Sequence, residues 1–197
     1  HQFDKDSRSA RDSPAAAAER GDIETSRAAV TLNHRFNRLG LQIRGSVSDI
    51  DYASVPSIAG GLIGNDERDF TQREVAIRAG WQLSRKAEVF AETAVNDRDF
   101  HAAPADGILR SSKGERYRVG LAFGPWDATI RGEVSAGWGR QGPNDARLDD
   151  LEGFIVDANL AWRASPLTTF LLTARSEFVD TNAADSAGAL SRQVGLE

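Results

Sequence analysis

Four times along this chain, two stretches of alternating apolar and polar residues flank a very short turn, and long polar loops join one such hairpin to the next. The short turns fall at Asn37-Arg38-Leu39, Ser84-Arg85-Lys86, Gly124-Pro125-Trp126 and Ser165-Pro166-Leu167, with centres at 38, 85, 125 and 166 that are 47, 40 and 41 positions apart. That spacing accommodates two strands of about ten residues, one tight turn and one long loop, which is the rhythm of a transmembrane β-barrel. It constrains the chain to an antiparallel, up-and-down, all-β arrangement.

The faces follow from counting in twos. In successive strands Leu41, Ile43 and Val47, then Val75, Ile77 and Ala79, then Val119 and Leu121, then Val134 and Ala136, then Val156 and Leu160 share a face nearly free of charge. The opposite face carries Arg44, Arg78, Arg116, Arg118, Arg131, Arg163 and Arg175 together with Glu74, Glu88, Glu92, Glu133, Asp157 and Glu177. A soluble sheet alternates in the same way, so alternation alone does not choose between lipid and core. The aromatics choose. Phe36, Trp81, Phe123, Trp126, Trp162 and Phe170 lie beside the short turns, and Tyr52, Phe70, Phe100, Tyr117, Trp138, Phe154 and Phe178 beside the long loops. Two bands of rings at strand ends, with Val, Ile, Leu, Ala and Gly between them, predict interfacial aromatic girdles and not a packed soluble core.

Composition narrows the class further. Mean hydropathy is -0.43, and no run approaches the roughly 18 apolar residues of a membrane helix. Cysteine is absent, which removes disulfides, thiolate metal sites and cysteine nucleophiles. Net charge is -5 with the two signs interspersed, a pattern that does not point to nucleic acid. Eighteen glycines and 27% charged residues suit a barrel with a wet interior.

The expected organisation is a flexible lead-in over 1–25, with a short helix at Ala15–Arg20, followed by barrel over 26–197. Its hairpins are placed at about 26–52, 70–98, 115–138 and 152–180, and a partial strand at 190–197. Eight complete strands could close as a small barrel, but the start of a ninth favours part of a larger barrel of about sixteen strands. The destination implies a cleaved export signal ahead of the segment.

The runs Arg44-Gly45-Ser46-Val47-Ser48-Asp49 and Asn65-Asp66-Glu67-Arg68-Asp69-Phe70, the near-copy Asn96-Asp97-Arg98-Asp99-Phe100, and above all Leu148 to Arg175 resemble the β-barrel porin type 2 family of Gram-negative outer membranes. The resemblance covers roughly Ser26 to Glu197, and the chain is about half the length of such a barrel. It implies an outer-membrane location, contact with outer-membrane lipid and lipopolysaccharide, and an association with polysaccharide export or its machinery. It brings no catalytic residues and no cofactor.

Three kinds of chemistry are open to these residues. Catalysis would need one of His1, His34 or His101, and only His101, beside Asp97 and Asp99, has acidic neighbours in a long loop; no serine sits in a strained turn, so the reading is non-enzymatic. The acidic loops with Asp66, Glu67 and Asp69, Asp97 and Asp99, and Asp145, Asp149 and Asp150 lack the spacing of a calcium loop, and Arg68, Arg98 and Arg147 are interleaved; solvated charge is the expectation, with no metal site. The inward Arg and Glu ladder either sets a field that selects permeants or forms a cross-strand network that rigidifies a narrow barrel. The sequence supports a passive porin-like channel, with a non-conducting scaffold barrel as the alternative, and leaves the oligomeric state open.

Overall fold

The computed structural model describes residues 2–5, 21–104, 107–124, 129–179 and 189–197, with only the backbone given for 2–5 and for Val179. A short strand β1 (Gln2–Lys5) is followed by the hairpin β2 (Asp22–Phe36) and β3 (Leu39–Tyr52). A small two-stranded flap of β4 (Val55–Pro56) and β5 (Leu62–Ile63) and a 3-10 turn at Asp66–Arg68 fill the first long connection. Then come β6 (Phe70–Ser84) with β7 (Ala87–Phe100), β8 (Ser112–Phe123) with β9 (Ile130–Pro143), β10 (Leu151–Ser165) with β11 (Thr168–Val179), and β12 (Ala189–Leu196). Every neighbour is antiparallel, in the linear order β1-β2-β3-β6-β7-β8-β9-β10-β11-β12. Nine long strands and the short β1 make an open half-barrel with no α-helix among the described residues.

The tight turns close hairpins in the expected places. Asn37 sits at φ 55°, a left-handed conformation that asparagine tolerates better than most residues, and Ser84 and Ser165 accept hydrogen bonds from the backbone N–H groups of Lys86 and Leu167. The Gly124-Pro125-Trp126 turn lies largely outside the described residues, as do the helix expected at Ala15–Arg20 and the loop at 180–188. The lead-in needs correction. Gln2–Lys5 pairs with β2 from Gln2↔Thr25 to Lys5↔Asp22, and β2 starts at Asp22, although neither stretch alternates in hydropathy. Ladder hydrogen bonds to an existing strand edge need no apolar face, which is why the pattern missed them.

The two faces are inverted relative to a soluble sheet. Val30 is 67% exposed and Val119 63%, both on the convex side, and no large side chain is fully buried among the described residues. The buried apolar groups Phe90, Phe100, Ile155 and Phe178 lie instead on the concave side. On the convex side one rung of the ladder runs Leu32–Ile43–Ile77–Thr93–Tyr117–Trp138–Phe154. Eight residues further along β10, Trp162 stacks on Phe170 at 5.4 Å, so the two outward aromatic levels are about 26 Å apart along the strand.

Candidate functional site

Directly paired residues share a face, so the registers compose into rungs across the concave side. One rung runs Asn33–Gln42–Arg78–Glu92–Arg118–Gly137–Ile155, and the next toward the short turns runs Arg35–Gly40–Gly80–Phe90–Gly120–Ser135–Asp157. The three glycines on the second rung make room for large side chains: the Phe90 ring lies where a Cβ on Gly120 would point, the Glu88 carboxylate where one on Gly80 would, and the Arg35 guanidinium beside Gly40. Arg78 lies over that ring, 3.5 Å from its centroid. This cation–π seat aims its guanidinium across the concavity.

The ion pairs are chords and not merely neighbours. Arg78 on β6 reaches Glu133 on β9 at 2.8 Å, skipping β7 and β8, and lies 3.9 Å from Glu88. Arg116 on β8 reaches Glu74 on β6 at 2.6 Å, and Arg35 on β2 reaches Glu88 on β7 at 3.1 Å. Arg118 holds Glu92 through Nε at 3.0 Å and Nη2 at 2.6 Å, and Asp157 through Nη1 at 3.2 Å. Bonds of this reach are possible only because the sheet is strongly curved. They surround a cavity of 1080 Å³.

Of the residues expected inside, Arg44, Arg116, Arg118, Arg175, Glu74, Glu92, Glu133, Asp157 and Glu177 line that cavity. Arg78 and Glu88 are on the concave side but outside the lining, Arg78 paired with the lining Glu133, while Arg131 and Arg163 lie outside the lining toward the short turns. Arg175 pairs with its own-strand neighbour Glu177 at 3.3 Å, and both stay exposed. The structure adds Arg27, Arg68 and Arg98, and the polar Gln72 and Gln141. Arg27 and Arg98 share strand parity with Arg35 and Glu92, so counting in twos contains the signal; Arg68 sits on the 3-10 turn, where parity has no meaning.

The aromatic bands also need correction. Phe36, Trp81, Tyr117, Trp138, Phe154, Trp162 and Phe170 are outward and exposed, Phe123 is half-buried, and Trp126 lies outside the described residues. Tyr52, Phe70, Phe100 and Phe178 instead line the cavity. Phe70 stacks on Phe100 at 5.0 Å, and Arg68 lies over Tyr52 at 3.9 Å. Tyr52, Phe70 and Phe100 share the parity of Arg44, Glu74 and Glu92, so they turn inward with them. Phe178 has outward parity but a different reason. The β10–β11 ladder stops at Ala158↔Ala174; beyond it Ser176 Oγ donates to the Val156 carbonyl and accepts from the Val156 N–H, each at 2.9 Å. A side chain thus replaces the ladder, and the end of β11 swings over the concave face. There the Phe178 ring covers Gly139, while its ladder partner Leu190 covers Gly153, and those two glycines are themselves paired. Arg98 fastens the bend by donating to the Phe178 carbonyl at 3.1 Å.

Near the long loops, on the convex side, His101 meets Thr71 and Asp49. The Thr71 hydroxyl donates to Asp49 at 2.8 Å, so His101 Nε2, 3.0 Å away, faces an oxygen whose only proton is committed elsewhere. That is the reverse of what a base activating a nucleophile needs. The loop acids have local partners: Asp69 accepts the Tyr52 N–H at 2.7 Å with its carboxyl pushed up chiefly by burial, and Arg147 holds the Asp145 carboxyl down at about 2. Asp150 pairs with Arg140, and among the described residues no three metal-ligating side chains converge.

An up-and-down antiparallel sheet with apolar residues outside, aromatic levels at both ends and charge around an internal cavity defines the class of β-barrels built inside-out relative to soluble β domains. Within that class the chain belongs to the family described as Putative beta-barrel porin 2, which matches residues 1–197. No curated protein and no solved structure matches the chain.

Proposed function

We propose that this chain forms part of the wall of a porin-like channel in a bacterial outer membrane. The observation that carries the reading is the inversion itself: an outward face that only lipid would cover, and a charged cavity of 1080 Å³ behind it. On this reading outer-membrane lipid and lipopolysaccharide contact the convex side, the tight turns face the periplasm, the long loops face outward, and the protein performs no catalysis. Passage of a polysaccharide chain, with export machinery as partner, is the finer form of the proposal and rests on the family resemblance.

A second reading has an observation of its own. The chords from Arg78 to Glu133 and from Arg116 to Glu74 brace the interior as they would in a non-conducting scaffold. Single-channel recording of the full-length polypeptide in planar bilayers separates the two. Discrete conductance steps are expected, and their absence with folded, inserted protein leaves the scaffold.

A further inference from the structure

The charges around the cavity are not evenly distributed along it. Seven arginines and five carboxylates line it, a surplus of two positive charges. Three successive rungs toward the long loops hold more than the whole of that surplus. Just inside the uncharged rung Thr25–Ile50–Phe70–Phe100, the first runs Arg27–Ser48–Gln72–Arg98–Ser112, the next Ser46–Glu74–Asn96–Gly114–Gln141, and the third Thr31–Arg44–Ala76–Ala94–Arg116–Gly139. Four arginines there face one carboxylate, Glu74, which already binds Arg116. Toward the short turns the rung Gln82–Glu88–Ala122–Glu133–Asn159 carries two carboxylates, both already held by arginines: Glu88 by Arg35 and Glu133 by Arg78.

Two of the four arginines face the cavity without a counter-charge. Among the described residues Arg27 and Arg44 enter no ion pair, and Arg44 donates only to Gln42, at 3.1 Å. They stand on adjacent strands, β2 and β3, and no carboxylate on that pair of strands lines the cavity. A concave wall of one sign focuses potential into the space it encloses.

We infer that the long-loop end of this interior is an anion-attracting mouth, and that the solutes it admits bear carboxylate or phosphate groups. The inference rests on the channel reading and names the class of its permeant. An incoming anion meets Arg27 and Arg44 first as unpaired donors, because the deeper arginines are already bound to acids. Farther in, Arg116 and Arg118 are already paired with acids, so an anion is held less tightly there, and binding that is strong along the whole path would stop conduction.

The test uses the full-length polypeptide in planar bilayers under a potassium chloride gradient, with reversal potential as the readout. The unaltered protein is expected to prefer chloride over potassium, and the preference should fall about twofold or more in R27S/R44S. It should also weaken between 0.1 M and 1 M salt, where the screening length shrinks from about 10 Å to about 3 Å. Heat-modified gel migration verifies that the variant is folded. A conducting parent that prefers potassium, or a folded variant whose reversal potential matches the parent's, overturns the anion mouth and leaves the channel standing. Absence of any current removes the channel reading and the mouth with it.

Discussion

Arg118 offers the sharpest measure of how dry the braced interior is. Its guanidinium makes two hydrogen bonds to Glu92 and one to Asp157, and the Glu92 side chain is only 6% exposed. Arg118→Ala strips Glu92 of both bonds and leaves a carboxylate with little access to water. Hydrogen bonds to charged groups contribute about 1.5–3 kcal/mol each, and removing one partner of a buried pair costs about 3–5 kcal/mol. The neighbouring cavity lets some water reach the site, so the low end applies and about 3 kcal/mol is expected. Glu92→Ala should cost about 2 kcal/mol, because Arg118 keeps Asp157. The double variant should be no worse than Arg118→Ala alone, which gives a coupling of about 2 kcal/mol. Urea unfolding in lipid vesicles, followed by fluorescence of the four tryptophans, measures all three. A coupling below about 0.5 kcal/mol would mean that bulk-like water bathes the pair, and the bracing argument would fail.

Two further outcomes test the faces and the loops. Val119→Arg, on the convex side of β8, should destabilise the inserted barrel by about 2–4 kcal/mol, whereas Asn159→Arg, beside Glu133 on the concave side, should be accepted; equal tolerance in the same urea assay would mean that the faces are misassigned. Arg147→Ala should release the Asp145 carboxyl from about 2 into the ordinary carboxylate range. A depressed carboxyl adds loop stability that is present above its unfolded value and lost as pH falls through about 2, so an NMR titration of Asp145 should move upward in the variant and stay put only if Arg147 is not its partner.

The hairpins were legible because the side-chain period of a strand is two, and a face covered by lipid or cavity enforces it over many residues. The observed β6–β7 hairpin, Phe70 to Phe100, and the β10–β11 hairpin, Leu151 to Val179, fall within two residues of the expected limits. Parity also holds the inward turn of Tyr52, Phe70 and Phe100, whereas nearness to strand ends by itself points to a girdle. Other features leave no trace in a periodic pattern. The swing at Ser176 depends on a hydroxyl substituting for a backbone partner, and the seat of Arg78 on Phe90 depends on curvature that brings distant strands together.

The paired glycines on β9 and β10 determine more than local packing. Phe178 and Leu190 rest where the side chains of Gly139 and Gly153 would otherwise stand, with atoms 2.7 and 2.9 Å from the positions their Cβ atoms would take. A methyl group at either position therefore meets the ring or the leucine, and that side chain has to shift off the wall toward the cavity. The aperture on that side is thus set by two missing carbon atoms. A chain carrying alanine there would keep every strand and every rung of this half-barrel, yet it would present a narrower interior to whatever enters it.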